Sequence, residues 1–238
     1  MNKTFEQEFN LYGFDKKSGK IDLSKIFDII CETAVSHSHR DDTDFFEDIF
    51  WVVYRWDMTI LKDLEIRTKV RVKTEIVGVR KFFALRDFTV YNEKGEECVK
   101  VKSEWILLSK KKRSPVRIPK NYIENYDIKE VKGRLKELDV PKDLDFVNQY
   151  SRTMGQLDID VNNHVNNVVY SKLMLNSLEP EINLREISII YKKESFYKQV
   201  LTAKRTDIIE EDNEKYIYIL IYDEKENLKT IGRVIVGE

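Results

Sequence analysis

One pattern, carried twice along the chain, narrows the possible folds more than any other feature. Residues 22–40 place Leu23, Ile26, Phe27, Ile30, Ala34 and Val35 at helical intervals, with Asp22 positioned to cap the start. WVVYRWDMTI, EIRTKVRVKTEIVGV, FFALRDFTVY and CVKVKSEWILL follow between Trp51 and Leu108. Each alternates apolar with polar residues and is rich in Val, Ile, Thr and aromatics, which predicts strands; their short links favour antiparallel pairing. NEKG (Asn92–Gly95) suits a hairpin turn, because Asn and Gly tolerate positive φ. Between Tyr122 and Phe146 the periodicity thins into a charged surface connection with Gly133, Pro141 and one short helix. The pattern then returns. VNNVVYSKLMLNSL (Val165–Leu178) reads as a helix, and EISIIYKKESFY, QVLTAKRTDII, KYIYILIYDE and LKTIGRVIVG read as strands.

Helix then strands, twice in 238 residues, implies an internal duplication. VVYRWDMTILKD aligns with IIYKKESFYKQV, setting Tyr54 over Tyr191 and Asp57 over Glu194, and YNEKGEE aligns with YDEKENL at the two turns. A helix and a sheet each need an apolar partner surface, so the expected architecture is α+β: two helix-on-antiparallel-sheet units joined through edge strands into one extended sheet. The expected divisions are an N-terminal unit over 1–130, a linker over 131–147 and a C-terminal unit over 148–238.

Lys plus Arg (41) nearly balances Asp plus Glu (42), so bulk charge gives no indication of nucleic acid. MNKTFEQEFN lacks the apolar stretch of a signal peptide, and no apolar run approaches the ~18 residues of a membrane span. Cys31 and Cys98 sit in apolar patterns without metal spacing, which suits buried thiols in a reducing compartment, and a cytoplasmic protein is expected. His37 and His39 are two apart near a helix end and do not share a face, and DDTDFFED (Asp41–Asp48) lacks the turn glycine of a calcium loop. No metal site is expected.

DIDVNNHVNNVVY (Asp158–Tyr170) stands apart from this background. It holds two aspartates, four asparagines and the only histidine of the C-terminal half. Capping the following helix accounts for one or two of these residues but has no use for His164. Asp160, Asn162 and His164 recur at every second position, which in extended or loop backbone directs them to one side. A helix N-terminus just beyond adds free N–H donors. A carboxylate, an amide, an imidazole and backbone donors at one place suit acyl transfer, which must bind an oxyanion and move a proton.

DIDVNNHVNNVVY also closely resembles the signature of the acyl-acyl carrier protein thioesterases of plant plastids and bacteria. ETAVSH, WVVYRWDMTI, LRDFTVYNEKGE, SEWILLSKKKRSPVRIP and REISIIYKKES resemble further stretches of that family in the same order, from about Phe9 to Ile221. The resemblance implies a tandem hotdog fold, with the first unit forming an acyl tunnel that Ile29, Cys31, Trp51 and Val53 are candidates to line. It also implies an active site in which Asp160, Asn162 and His164 match the family's D-x-N-x-H motif and Glu194 matches the glutamate of its strand motif. Ser195 departs from it: the family's best-known members carry cysteine after that glutamate.

Without that thiol, the expectation is hydrolysis by water, activated by Glu194 with His164, while Asn162 and a backbone N–H hold the thioester carbonyl and Asp160 orients its neighbours. Ser195 receives at most a minor role: KKESFY offers no glycine for a nucleophile turn, and adjacent strand residues face opposite sides. The family's substrate implies acyl carrier protein as partner, with no metal or resident cofactor, the phosphopantetheine arriving on the substrate. SKKKRSPVRIPK (Ser109–Lys120) has six basic residues in twelve; Lys110, Lys111, Lys112 and Arg113 are candidates for docking that acidic partner. The competing expectations are an acyl-coenzyme A hydrolase and a non-catalytic acyl-thioester-binding hotdog. A tandem chain is compatible with a monomer or a homodimer.

Overall fold

The computed structural model describes residues 1–11, 23–41, 48–65, 67–131, 135 and 137–237. Asp22, Gly133 and most of the acidic stretch Asp41–Asp48 lie outside the described residues. The chain divides into two compact units, Met1–Lys136 and Glu137–Glu238.

The N-terminal unit runs β1 (Thr4–Leu11), α1 (Leu23–Asp41), β2 (Ile49–Ile60), β3 (Thr68–Arg80), β4 (Phe83–Tyr91), β5 (Glu97–Ser109) and α2 (Lys120–Asn125). Its strands pair antiparallel in the order β1-β3-β4-β5-β2. Helix α1 lies on β3 and β1 through a stripe containing Ile26, Phe27, Ile30, Thr33, Ala34 and His37, all buried. Val35, expected on this face, is exposed, because the stripe follows 26–30–33–37 and leaves it on the flank. Trp56 is fully buried among Phe27, Phe88 and Trp105. Helix α2 lies ahead of the charged stretch 128–145, whose described residues hold no helix; with Ile118 and Ile128 it covers Ile76, Val79, Ala84 and Leu107.

The C-terminal unit runs β6 (Phe146–Thr153), a 3-10 turn (Gln156–Asp158), α3 (Asn167–Asn176), β7 (Leu184–Tyr191), β8 (Val200–Thr206), β9 (Ile209–Glu211), β10 (Glu214–Asp223) and β11 (Leu228–Val236). The sheet order is β7-β11-β10-β8-β6, with β9 on β10. Helix α3 buries Val168, Val169, Tyr170, Leu173 and Met174. It approaches the sheet so closely at Gly232 that a Cβ there would lie 2.8 Å from the Met174 thioether. The hotdog plan, one helix against an antiparallel sheet, is thus present twice.

The duplication is visible in hydrogen bonds. In the β4–β5 hairpin, Val90 pairs Val99 and Tyr91 pairs Glu97, leaving Cys98 as a bulge; in β10–β11, Ile221 pairs Thr230 and Tyr222 pairs Leu228, leaving Lys229. The Cys98 carbonyl accepts from Leu61 and Lys62 N–H, and the Lys229 carbonyl from Lys192 and Lys193 N–H. One constant offset relates all these residues. It confirms the YNEKGEE/YDEKENL alignment and corrects the strand alignment: Tyr191 corresponds to Ile60, not Tyr54, and Glu194 to Asp63, not Asp57.

Candidate active site

The asparagine-rich segment is a closed turn rather than an extended run. Ile159 and Val165 form an antiparallel bridge, and Asp160 N–H donates to the His164 carbonyl at 2.8 Å. The Asp160 carboxylate Oδ1 accepts from Asn162 N–H at 2.8 Å and from His164 N–H at 3.2 Å, while Asn163 takes the left-handed conformation that asparagine tolerates (φ 62°). Asp160 is therefore the turn's internal anchor. Asn162 is exposed at the tip, and Asn166 caps α3, its side-chain oxygen accepting from Val168 N–H. The same segment is tied to β6 through Asp158, which accepts from Gly155 N–H and Arg152.

His164 sits at the turn's end, with only 8 % of its surface exposed. Its Nε2 lies 3.1 Å from Oε2 of Glu194, whose side chain is 41 % exposed. A neutral imidazole has one N–H, and at this distance it donates to the carboxylate. Phe196 stands edge-on to the imidazole at 5.3 Å and is half exposed.

Glu194 is not carried by a strand, contrary to the pattern EISIIYKKESFY. Strand β7 ends at Tyr191 because the next two N–H groups converge on the bulge carbonyl of Lys229. The loop that follows is held at both sides of Glu194: its own carbonyl accepts from the Lys229 ammonium at 3.0 Å, and the Ser195 carbonyl accepts from Val165 N–H at 2.8 Å. That second bond ties the Glu194 loop directly to the His164 turn. Ser195 faces inward, fully buried, with its Oγ against the Tyr170 phenol. Beneath it lies Tyr170, whose phenol burial pushes up to about 12, opposed by Ser195 and reinforced by the Glu194 and Asp160 charges. Tyr170 is thus a protonated floor to the site.

Sequence reasoning had not singled out Tyr170, Phe196, Lys229 or Asp223. The aromatics are apolar positions in an element, and a lysine in an alternating strand reads as surface. The basic run forms an exposed turn after β5, with Lys110, Lys111, Lys112 and Arg113 all exposed and Arg113 over the Phe50 ring. His37 is structural: buried, its Nδ1 accepts from Arg86 at 2.8 Å and its Nε2 donates to the Asn2 carbonyl at 2.8 Å. Among the described residues no three His, Cys, Asp or Glu side chains gather as a metal site, and no helix is long and apolar enough to cross a membrane.

Comparison with known proteins agrees over both units. The family model of the acyl-ACP thioesterase N-terminal domain matches residues 2–126, and that of the acyl-ACP thioesterase C-terminal domain matches residues 141–232. Palmitoyl-acyl carrier protein thioesterase of Cuphea hookeriana is 25 % identical over 224 residues, covering 84 % of this chain and 54 % of that protein. The Arabidopsis thaliana protein of the same name is 25 % identical over 228 residues, again 84 % and 54 %. Both relatives are chloroplastic, and the chain spans about half their length. Among solved structures, an acyl-ACP thioesterase from Bacteroides thetaiotaomicron superposes with a TM-score of 0.82 at 19 % identity, covering 99 % of this chain and 98 % of the other. The 12:0-ACP thioesterase of Umbellularia californica gives 0.84 at 18 % identity, covering 98 % and 94 %. These two likenesses establish the fold.

Proposed function

Because the chain belongs to the acyl-ACP thioesterase family, we propose that it hydrolyses the thioester of an acyl-acyl carrier protein to a free fatty acid and the carrier's thiol. One observation carries the reading: a buried imidazole 3.1 Å from a carboxylate that keeps an open side to solvent. Of the pair, Glu194 is the member that water can reach. With Oε2 fixed by His164, Glu194 takes a proton from water as the water oxygen attacks the thioester carbonyl. His164 holds the carboxylate and stabilises its changing charge. Asn162, at the exposed tip of the turn, and backbone N–H groups near the start of α3 receive the oxyanion. The intermediate collapses by breaking the C–S bond, and the proton held by Glu194 passes to the departing sulfur. Asp160 acts through the turn it closes, and Ser195 has no chemical step.

The two cysteines support water over a thiol nucleophile. Desolvation first, and the Asp28 carboxylate second, push the Cys31 thiol up to about 12, and burial also raises Cys98. The nucleophile would be the thiolate, and neither supplies it at neutral pH. The proposed chemistry needs side chains and water alone, without a resident cofactor. Free thiols also fit the reducing conditions of the cytoplasm, where we place the reaction.

The exposed turn Lys110–Arg113 is our proposed docking patch for the acidic carrier. Thiol release measured on the same acyl chain carried by acyl carrier protein and by coenzyme A tests the reading; higher kcat/KM on the carrier protein is expected. The double reversal Lys111→Glu/Arg113→Glu should raise KM for the carrier-bound substrate about tenfold, the scale of a lost interfacial charge contact, and leave a small acyl thioester unaffected. No thiol release from either carrier would make the protein a binder; equal KM effects on both substrates would remove the patch.

A further inference from the structure

A second charged pair lies directly behind the first. The Lys229 ammonium is 3.1 Å from Asp223 Oδ2 and donates to the Glu194 carbonyl at 3.0 Å, and both side chains are almost completely buried. Asp223 is in turn fixed by the hairpin it opens. Its carboxylate accepts from Asn227 N–H (2.9 Å), Lys225 N–H (3.0 Å) and the Asn227 amide (3.0 and 3.1 Å). These contacts run in one line: the β10–β11 turn holds Asp223, Asp223 holds Lys229, and Lys229 holds the peptide of Glu194. The backbone of Lys229 adds a further clamp, its carbonyl accepting from Lys192 and Lys193 at 2.8 and 3.3 Å.

The N-terminal unit supplies an internal control. Its equivalent hairpin makes the same turn with Asn92, whose Oδ1 accepts from Lys94 and Glu96 N–H, both at 3.0 Å. The bulge residue there is Cys98, and its carbonyl also receives two N–H groups from the chain leaving β2. This backbone forms without a buried ion pair. Removing two charges from water is unfavourable, and such a pair is weak evidence for stability, so its presence in one copy alone asks for another reason. In that copy the acid of the exit loop lies 3.1 Å from an imidazole.

We infer that Lys229, oriented by Asp223, is a positioning residue that sets the Glu194 peptide so that the carboxylate meets His164. A lysine is suited to this: a compact cation with several donors can satisfy a carboxylate and a carbonyl at once. The role rests on the hydrolase reading for its kinetic consequence, but not for its geometry.

The test transfers the N-terminal solution to the C-terminal hairpin, in the full chain, as the double variant Asp223→Asn/Lys229→Cys. It leaves no uncompensated buried charge and copies side chains that fit the same bulged turn. We expect a folded protein with the wild-type melting profile, kcat lowered by about 10²-fold, the scale of a catalytic group misplaced by an ångström, and KM within about twofold. Independently of turnover, imidazole 15N spectra should show the His164 Nε2 resonance displaced in the same direction as in Glu194→Gln. A folded double variant with wild-type kcat and an unmoved His164 resonance overturns the inference. An unfolded one overturns it too, since the pair would then be a requirement of the hairpin itself. If the wild-type protein releases no thiol, the hydrolase reading fails while the spectra still decide the positioning role.

Discussion

At the β4–β5 turn of the N-terminal unit, Asn92 gathers the backbone of an exposed loop, Cys98 bulges, and the chain leaving β2 continues as Lys62-Asp63-Leu64. At the β10–β11 turn of the C-terminal unit, Asp223, Lys229 and Lys193-Glu194-Ser195 occupy the same places on the same hydrogen-bond frame. Both frames bury the third residue of the exit loop, Leu64 or Ser195, and leave the acid before it exposed. The difference lies in what meets that acid. The C-terminal unit brings His164 to 3.1 Å from Glu194 and places a buried cation behind its peptide. A duplicated scaffold thus carries the same loop twice, and in one copy a few different residues pair its acid with an imidazole.

The largest effect should therefore be one-sided. Glu194→Gln keeps size and hydrogen bonding to His164 but removes the base, and kcat for thioester hydrolysis should fall by ~10²–10⁴-fold. Its counterpart Asp63→Asn should leave kcat within twofold. His164→Ala should lose nearly as much as Glu194→Gln, and the two losses should not add, because each residue acts through the other. A comparable drop in Asp63→Asn would break the comparison by showing that both copies of the loop serve the reaction.

How much of this was legible follows from where the free energy lies. The central strands announced themselves because they bury alternate residues: β4 alternates without a fault from Phe83 to Tyr91. Strands β1 and β6 did not, since each is an edge strand with one neighbour; along FVNQYSRT most residues are exposed and no apolar rhythm survives. The residue-level match of β2 with β7 went astray because aromatic and β-branched strands resemble one another in any register, whereas bulges and carbonyl clamps fix only one. Asp160, Asn162 and His164 stood out by spacing and residue type, and Glu194 through resemblance to a family signature alone; the spacing allowed extended or loop backbone, and the turn came from the Asp160 carboxylate folding onto two N–H groups. Lys229 and Asp223 carried no signal at all. DEKENLK is a polar turn by composition, and only the fold shows that two of its charges are buried.

That buried pair predicts a difference in acid. Burial by itself would raise the Asp223 carboxyl, but donation from Asn227 and the Lys229 ammonium outweighs it and holds the group at about 2. A carboxyl depressed on folding stabilises the folded state above its unfolded value of about 4 and loses that contribution as pH falls towards 2. Between pH 4.5 and 2, wild-type protein should lose about 2 kcal/mol more stability than Asp223→Asn, read as the difference in denaturant midpoints at fixed m. Asn92, which does not titrate, adds no such term in the other hairpin. Equal pH slopes in wild type and Asp223→Asn would mean that Asp223 titrates alike folded and unfolded.

The smallest effect concerns the residue where a nucleophile stood in the sequence pattern. Ser195 is buried, aligned with Leu64 of the N-terminal unit, and what it contributes to the site is its backbone carbonyl, held by Val165 N–H. Its hydroxyl lies against the buried Tyr170 phenol. Ser195→Ala removes that hydroxyl and leaves the carbonyl, so kcat should change by less than twofold and stability should fall by no more than about 1 kcal/mol, the scale of one buried hydrogen bond. The water route requires this indifference. A folded Ser195→Ala protein without turnover would instead make Ser195 the attacking group and reduce Glu194 and His164 to its activators, and the two exit loops would then differ by their third residue rather than by what faces their second.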